Sequence, residues 1–248
     1  MSGSSSGARI REGAWFTTTH WSVVLQARDA DTLGADEALE KLCRTYWAPL
    51  YAYIRRDGYK PEDAQDLTQE FLSRFLHREW LDHLKDQRGK FRSFLLTFLK
   101  HFLSDERDRA NAQKRGGGKP LISLDAYEAE ERGAIELADG LTADQVYERR
   151  WARTIIQQAH EKLAREYAAR GKDALFEQLK DVQPGEHGER SYKDIGAALG
   201  MSEQAVKNAV LSFRRRYAKL LREEIVQTVA DPGEVEAEVR HLMQIFAQ

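Results

Sequence analysis

SYKDIGAALGMSEQAVKNAVLSFRRRYAKLL, residues 191–221, contains the break from which the rest of the chain can be read. Ile195, Ala198 and Leu199 recur at helical spacing up to Gly200; the pattern turns at Met201 and restarts at Ser202. Glycine ends helices because it enters the left-handed conformation without a Cβ penalty, and serine starts them because its hydroxyl accepts from amides of the first turn. Met201 and Val206 supply the apolar groups that hold two such helices against each other. This is a helix-turn-helix pattern. Its second helix presents Ser202, Glu203, Gln204, Lys207 and Asn208 at the exposed beginning, where polar side chains reach base edges in a major groove. Arg214, Arg215 and Arg216 follow for phosphates. Helical hairpins that serve packing alone use the same glycine turn, so the pattern leaves both readings open.

Outward from this turn, apolar residues keep a period of three to four, and no stretch alternates as a strand does; the expected fold class is all-α. Leu39, Leu42, Cys43, Tyr46, Trp47, Leu50, Tyr51 and Ile54 form one stripe of a long helix from Asp36 to about Gly58, with a kink expected at Pro49. Pro61 suits a first helical turn, and Ala64, Leu67, Phe71, Leu72, Phe75 and Leu76 continue inward from it. Phe91, Phe94, Leu95, Phe98, Leu99 and Phe102 make a third stripe, on a helix apolar at its start, basic at its end and fading by Gly116 to Gly118. Tyr147 to Ala169 and Lys172 to Val182 read as helices leading to the turn, and Thr18 or Thr19 caps a short one near the start. Beyond Pro232, Val235, Val239, Leu242, Met243, Ile245 and Phe246 recur at helical spacing, expected to cover an apolar face, that of the second domain ahead of a partner's.

The chain has 248 residues, 38 basic and 40 acidic, enough for about two domains each with a core. The near-neutral total conceals blocks. Arg88 to Lys119 carries nine basic residues against three acidic, Pro120 to Arg150 eight acidic against three basic, and Ser191 to Ile225 seven basic against four acidic. Two cationic modules flanking an anionic tether suit a nucleic-acid partner, although a single charge run is commonly a solvated helix face. The longest apolar run, Phe94 to Leu103, is interrupted by Lys100 and falls short of the roughly 20 residues a bilayer crossing needs, so no membrane association is expected. The Ser/Gly-rich start, Met1 to Gly7, lacks the apolar core of a signal peptide, and the single cysteine, Cys43, sits on an apolar stripe as a buried thiol would; both suit the reducing cytoplasm.

With these residues in place, the chain resembles the sigma-70 family of bacterial RNA polymerase initiation factors, in its compact extracytoplasmic-function (ECF) type, over roughly Thr17 to Arg115 and Arg149 to Ile225. DAQDLTQEFLSRFL, residues 63–76, is similar to the family helix that docks on the polymerase clamp, which implies that Asp63, Asp66, Leu67, Gln69 and Glu70 face core RNA polymerase. KFRSFLLTFLKHFLSDERDRA, residues 90–110, is similar to the helix that opens the promoter minus-ten element. The resemblance assigns phosphate-directed charge there to Lys100, Arg107, Arg109, Lys114 and Arg115 and places His101, where relatives often carry asparagine, beside the bases. The loop Leu81 to Lys90 matches in position the family loop that captures a flipped base, and PLISLD, residues 120–125, the start of the linker through the polymerase. The helix-turn-helix corresponds to the module that reads the minus-thirty-five element, with Ala209 and Ser212 where relatives commonly have arginine.

The expected organisation is a flexible tail over residues 1–16, then, as the resemblance implies, a polymerase and minus-ten domain over 17–115, a linker over 116–146 and a helix-turn-helix domain over 147–227, followed by a C-terminal extension helix over 228–248 that has no counterpart in the family. No cofactor or metal is expected, and the resemblance allows an anti-sigma or other regulatory protein as a further partner. Three readings compete with it. A metal enzyme would need a second acidic cluster facing Asp63, Asp66 and Glu70, and the nearest, Asp105, Glu106 and Asp108, lies among arginines. Gly116 to Lys119 lacks the hydroxyl residue and preceding strand of a phosphate loop, and His77 and His83 have no partner ligands nearby in sequence, so catalysis is not expected. A helix-turn-helix regulator would bind palindromic DNA without polymerase, and an interaction protein would bind polymerase without reading promoters.

Overall fold

In a computed structural model, described here over residues 35–76, 90–113, 140–181, 191–229 and 232–247, the chain is helical throughout and has no strands among the described residues. In chain order the helices are α1 (Ala35–Arg56), α2 (Pro61–Leu76), α3 (Phe91–Gln113), α4 (Ala143–Ala168), α5 (Asp173–Leu179), α6 (Tyr192–Leu199), α7 (Glu203–Val226) and α8 (Val235–Ala247), the last preceded by a 3-10 turn at Pro232–Glu234. The all-α expectation holds, and α1, α2 and α3 run within two or three residues of the predicted spans. α1 continues helically through Pro49. The expected tail, the loop at 81–89, His77, His83, the helix near Thr18, and 114–139 with Lys114, Arg115 and residues 120–125 lie outside the described residues.

Two helix starts show how the sequence sets local structure. At α4, Thr142 accepts from the Gln145 amide at 3.2 Å while the Gln145 side chain accepts from the Thr142 amide at 2.9 Å, a reciprocal cap that satisfies two amides with no helical partner. The helix therefore begins at Ala143, inside the stretch expected to be linker up to residue 146. At α6, Ser191 and Asp194 form the same box.

Helices expected in two lobes share one core. α1 packs along α4 over more of its length than on any other element, and α4 packs in turn on α7. Tyr46, Leu50 and Ile54 from α1, Phe91, Leu95 and Leu99 from α3, Tyr147, Trp151, Ile155 and Leu163 from α4, Val206, Leu221 and Ile225 from α7 and Leu242 from α8 belong to one buried cluster. The apolar stripes thus face one another rather than closing two interiors. Cys43 leans on this cluster, and burial, with the Glu40 charge adding to it, pushes its thiol up to about 11.

Polar ties cross the same boundary. Gln158 of α4 donates to the Thr45 hydroxyl of α1 at 3.0 Å, Arg56 donates to the Leu141 carbonyl at 2.5 Å, and the Phe91 amide donates to the Thr228 carbonyl at 3.1 Å beside an isolated antiparallel bridge between Lys90 and Val229. At the centre lies Arg92 of α3, buried with its guanidinium paired to Glu238 of α8 and to Glu148 of α4 and stacked 5.0 Å over the Trp151 ring. Lys90 reaches Glu238 at 2.7 Å, and His241 reaches Glu148 at 3.0 Å. Besides packing on the second group of helices as expected, α8 thereby also grips the start of α3.

Gly196 has a specific packing reason. A Cβ there would stand 2.6 Å from the Met201 carbonyl oxygen, closer than real Cβ contacts come, and the Met201 amide donates to the Gly196 carbonyl at 2.8 Å. Gly196→Ala is expected to cost about 1–3 kcal/mol, as overpacking does, by forcing α6 from α7. Urea denaturation measures it, and a variant as stable as the parent would show that the turn accommodates the methyl group.

Candidate nucleic-acid interface

The turn between α6 and α7 forms as the sequence dictates. Gly200 takes φ +65°, Met201 and Val206 lie against the core, and the Ala205 amide donates to the Ser202 hydroxyl at 3.2 Å. Ser202 is therefore occupied as a helix cap. Val206, Val210 and Phe213 are buried, and the residues between them decide what the helix shows to solvent. At about 100° per residue, Gln204, Asn208, Leu211 and Arg215 fall within an arc of about 60° on the opposite side. All four are exposed, with Glu203, Lys207 and Ser212 at the margins.

Two contacts order the start of this face. Lys207 pairs with Glu203 at 2.7 Å, one turn apart, and its hydrogen bond and charge hold the Glu203 carboxyl below the usual carboxylate range. Gln204 donates to the Asn208 side-chain oxygen at 3.3 Å. Ala209 leans on the core, so the face carries no cation at that position.

One cation expected to meet phosphate is used inside the protein. Arg216 makes a two-pronged pair with Glu166 of α4 and reaches Glu223 at 3.3 Å; the hydrogen bond to Glu166 raises the guanidinium pKa and lowers that of the carboxylate. It ties α7 to α4. Arg214 is half-buried, which leaves Arg215 as the exposed member of the triplet.

On α3, Lys100, His101, Arg107 and Arg109 are all exposed, the first two just before the buried Phe102 and the arginines beyond it. Three of them meet carboxylates of the same chain: Lys100 with Asp144 of α4 at 2.7 Å, Arg107 with Asp57, and Arg109 with Glu106 at 2.5 Å. Exposed pairs of this kind hold by about 0–1 kcal/mol, so a phosphate competes readily for each cation. On α2, Asp63, Gln69 and Glu70 are exposed and Asp66 is half-buried, while Leu67 packs against the core beside them. Glu70 pairs with Arg74, which also reaches Glu106 at 3.0 Å and lies 5.0 Å over Phe102. The acidic strip and the basic α3 therefore meet through Arg74.

The structure thus brings Gln204, Asn208 and Arg215 onto one face of α7, while Ser202 caps the helix and Arg214 is half-buried. Sequence reading missed Leu211, whose place on the exposed arc a helical projection from Val206 and Val210 would have revealed. It missed the role of Arg216 because the acid that claims it is 50 residues away. Among the described residues, no three His, Cys, Asp or Glu side chains converge as metal ligands would, and no helix is long and apolar enough to cross a membrane. No family model matches the chain, and neither the curated proteins nor the solved structures include a significant match to it.

Proposed function

We propose that this chain is a transcription initiation factor of the sigma-70 type, one that binds core RNA polymerase and directs promoter recognition, strand opening and the start of transcription. The observation that carries the reading is the outward face of α7: a serine-capped helix following a tight glycine turn, with Gln204, Lys207, Asn208 and Arg215 exposed together. Base edges in a major groove are read by amide and cationic side chains on such a helix. In this role α7 takes the minus-thirty-five element. The basic half of α3, Lys100 to Arg109, takes the minus-ten strand through its phosphates, and the acidic strip Asp63, Asp66, Gln69 and Glu70 of α2, with Leu67 beneath it, meets the polymerase. An anti-sigma protein would act by covering one of these three surfaces.

The shared core favours a second reading, a helix-turn-helix regulator that works as one rigid piece without polymerase. One experiment separates the two. The purified chain is mixed with bacterial core polymerase freed of its own specificity subunit and with a genomic promoter library, and open complexes are mapped by permanganate reactivity of unpaired thymines. The initiation factor gives association with core and open complexes that need both proteins. A tight DNA complex formed without core, and no strand opening with it, establishes the regulator instead.

A further inference from the structure

The exposed face of α7 holds one residue that a merely solvated helix does not require. Leu211 is 53% exposed and lies on one edge of the arc, between Asn208 and Arg215 along the helix axis, about one turn from each. An isolated leucine on a protein surface is ordinary. This one is set among groups able to pair with bases, opposite the buried Val206, Val210 and Phe213, and among the described residues it is not one of those packed on the core.

The neighbouring amides define the company it would keep. Asn208 receives the Gln204 amide on its side-chain oxygen and keeps a second lone pair and two N–H donors. Those groups match the N6 donor and N7 acceptor that adenine shows in the major groove. Thymine differs from the other bases there by its 5-methyl group, which only an apolar side chain reads favourably. From Asn208 to Leu211 the helix rises about 4.5 Å, close to the 3.4 Å between stacked base pairs. A helix that places Asn208 on an adenine brings Leu211 to the adjoining base pair.

Resting on the assignment of α7 as the base-reading helix, we propose that Leu211 is a specificity-determining residue that packs on the 5-methyl group of a thymine next to the base pair addressed by Asn208. The DNA read by α7 then contains adjoining A·T pairs, with the thymine recognised by shape rather than by hydrogen bonding.

The test uses the full chain, alone and bound to core polymerase. Duplexes enriched from a random 20-base-pair library are resynthesised with each thymine in turn replaced by deoxyuridine, which removes only the methyl group. Affinities are then measured for the parent chain, for Leu211→Ala, which leaves helix and core unchanged, and for Asn208→Ala. The expected result is one thymine whose replacement weakens the parent about four-fold, the effect of burying one methyl-sized group, and leaves Leu211→Ala unaffected. Asn208→Ala is expected to relax preference at the neighbouring adenine while keeping the sensitivity to uracil. Indifference of the parent to every uracil, or equal sensitivity in Leu211→Ala, overturns the role of Leu211 while leaving α7 as a reader of DNA. Failure to enrich any duplex in either state overturns the base-reading assignment and Leu211 with it.

Discussion

Glu238→Ala is expected to unfold with about 3–5 kcal/mol less free energy than the parent chain, a loss typical of breaking a buried ion pair from one side. The carboxylate has no exposure to solvent and answers two cations, Arg92 and Lys90, while Arg92 itself is 5% exposed. Removing it leaves a guanidinium in the core with Glu148 as its remaining acidic partner among those described. Guanidinium chloride denaturation followed by circular dichroism measures the loss. Arg92→Met combined with Glu238→Leu should recover part of it, because the two buried charges leave together, while Glu148 and Lys90, both partly exposed, each lose one partner. If Glu238→Ala alone is as stable as the parent, the carboxylate is not buried as described.

The same group dictates a dependence on acidity. Burial pushes the Glu238 carboxyl up, but the hydrogen bond and charge of Arg92, followed by those of Lys90, overcome it and hold the group below the ordinary carboxylate range. A group depressed in the folded state gives stability that is fully present above its unfolded value, about 4.3, and is lost as pH falls through the lower folded value. The parent should therefore lose stability below about pH 4, with a shallower slope in the Arg92→Met, Glu238→Leu pair.

In the proposed role, locking α1 to α4 should cut strand opening at least about ten-fold while sparing association with polymerase. The minus-ten and minus-thirty-five elements lie about 25 base pairs apart, about 85 Å along B-form DNA. A compact body of this length has a radius of gyration of about 18 Å, so α3 and α7 on one core do not reach both elements of a straight duplex together. In the proposed role, the contact between α1 and α4 must part on the polymerase. Thr45→Cys with Gln158→Cys, in a Cys43→Ser background and joined by a short bifunctional thiol reagent, fixes the two helices at the point where their side chains meet. Core binding through α2 should persist, and permanganate-reactive complexes should fall by at least about ten-fold, a change of 1.4 kcal/mol or more at 25 °C. Undiminished opening by the cross-linked protein would show that separation of these helices is not needed.

The helices themselves were legible because each carries its own signal. Pro61 marks the start of α2, Gly200 the end of α6 and Ser202 the start of α7, and the stripe from Tyr46 to Ile54 gives the buried side of α1. The common core was not legible, since an apolar stripe states that a face is covered without stating by what. Arg92 illustrates the difficulty: in sequence it is one cation of a basic block, and only the approach of Glu238, 146 residues further on, turns it into a core residue. Thr142 and Gln145 did carry a readable signal, a capping box, that the surrounding acidity of the expected linker obscured. At the interface, exposure of Gln204, Lys207 and Asn208 followed from periodicity alone, while the fates of Arg216 and Lys100 depended on distant acids.

The union of Phe91 and Lys90 with Thr228 and Val229, backbone to backbone, has a practical consequence for how the protein can be divided. Two polypeptides made separately, one ending after α3 and the other starting at Gly140, would each bare a wide oily flank and would be poor solutes on their own. Brought together, they possess the complementary halves of a single interior, and reassembly from such fragments becomes a route to placing isotopic or fluorescent labels on one side of the molecule only.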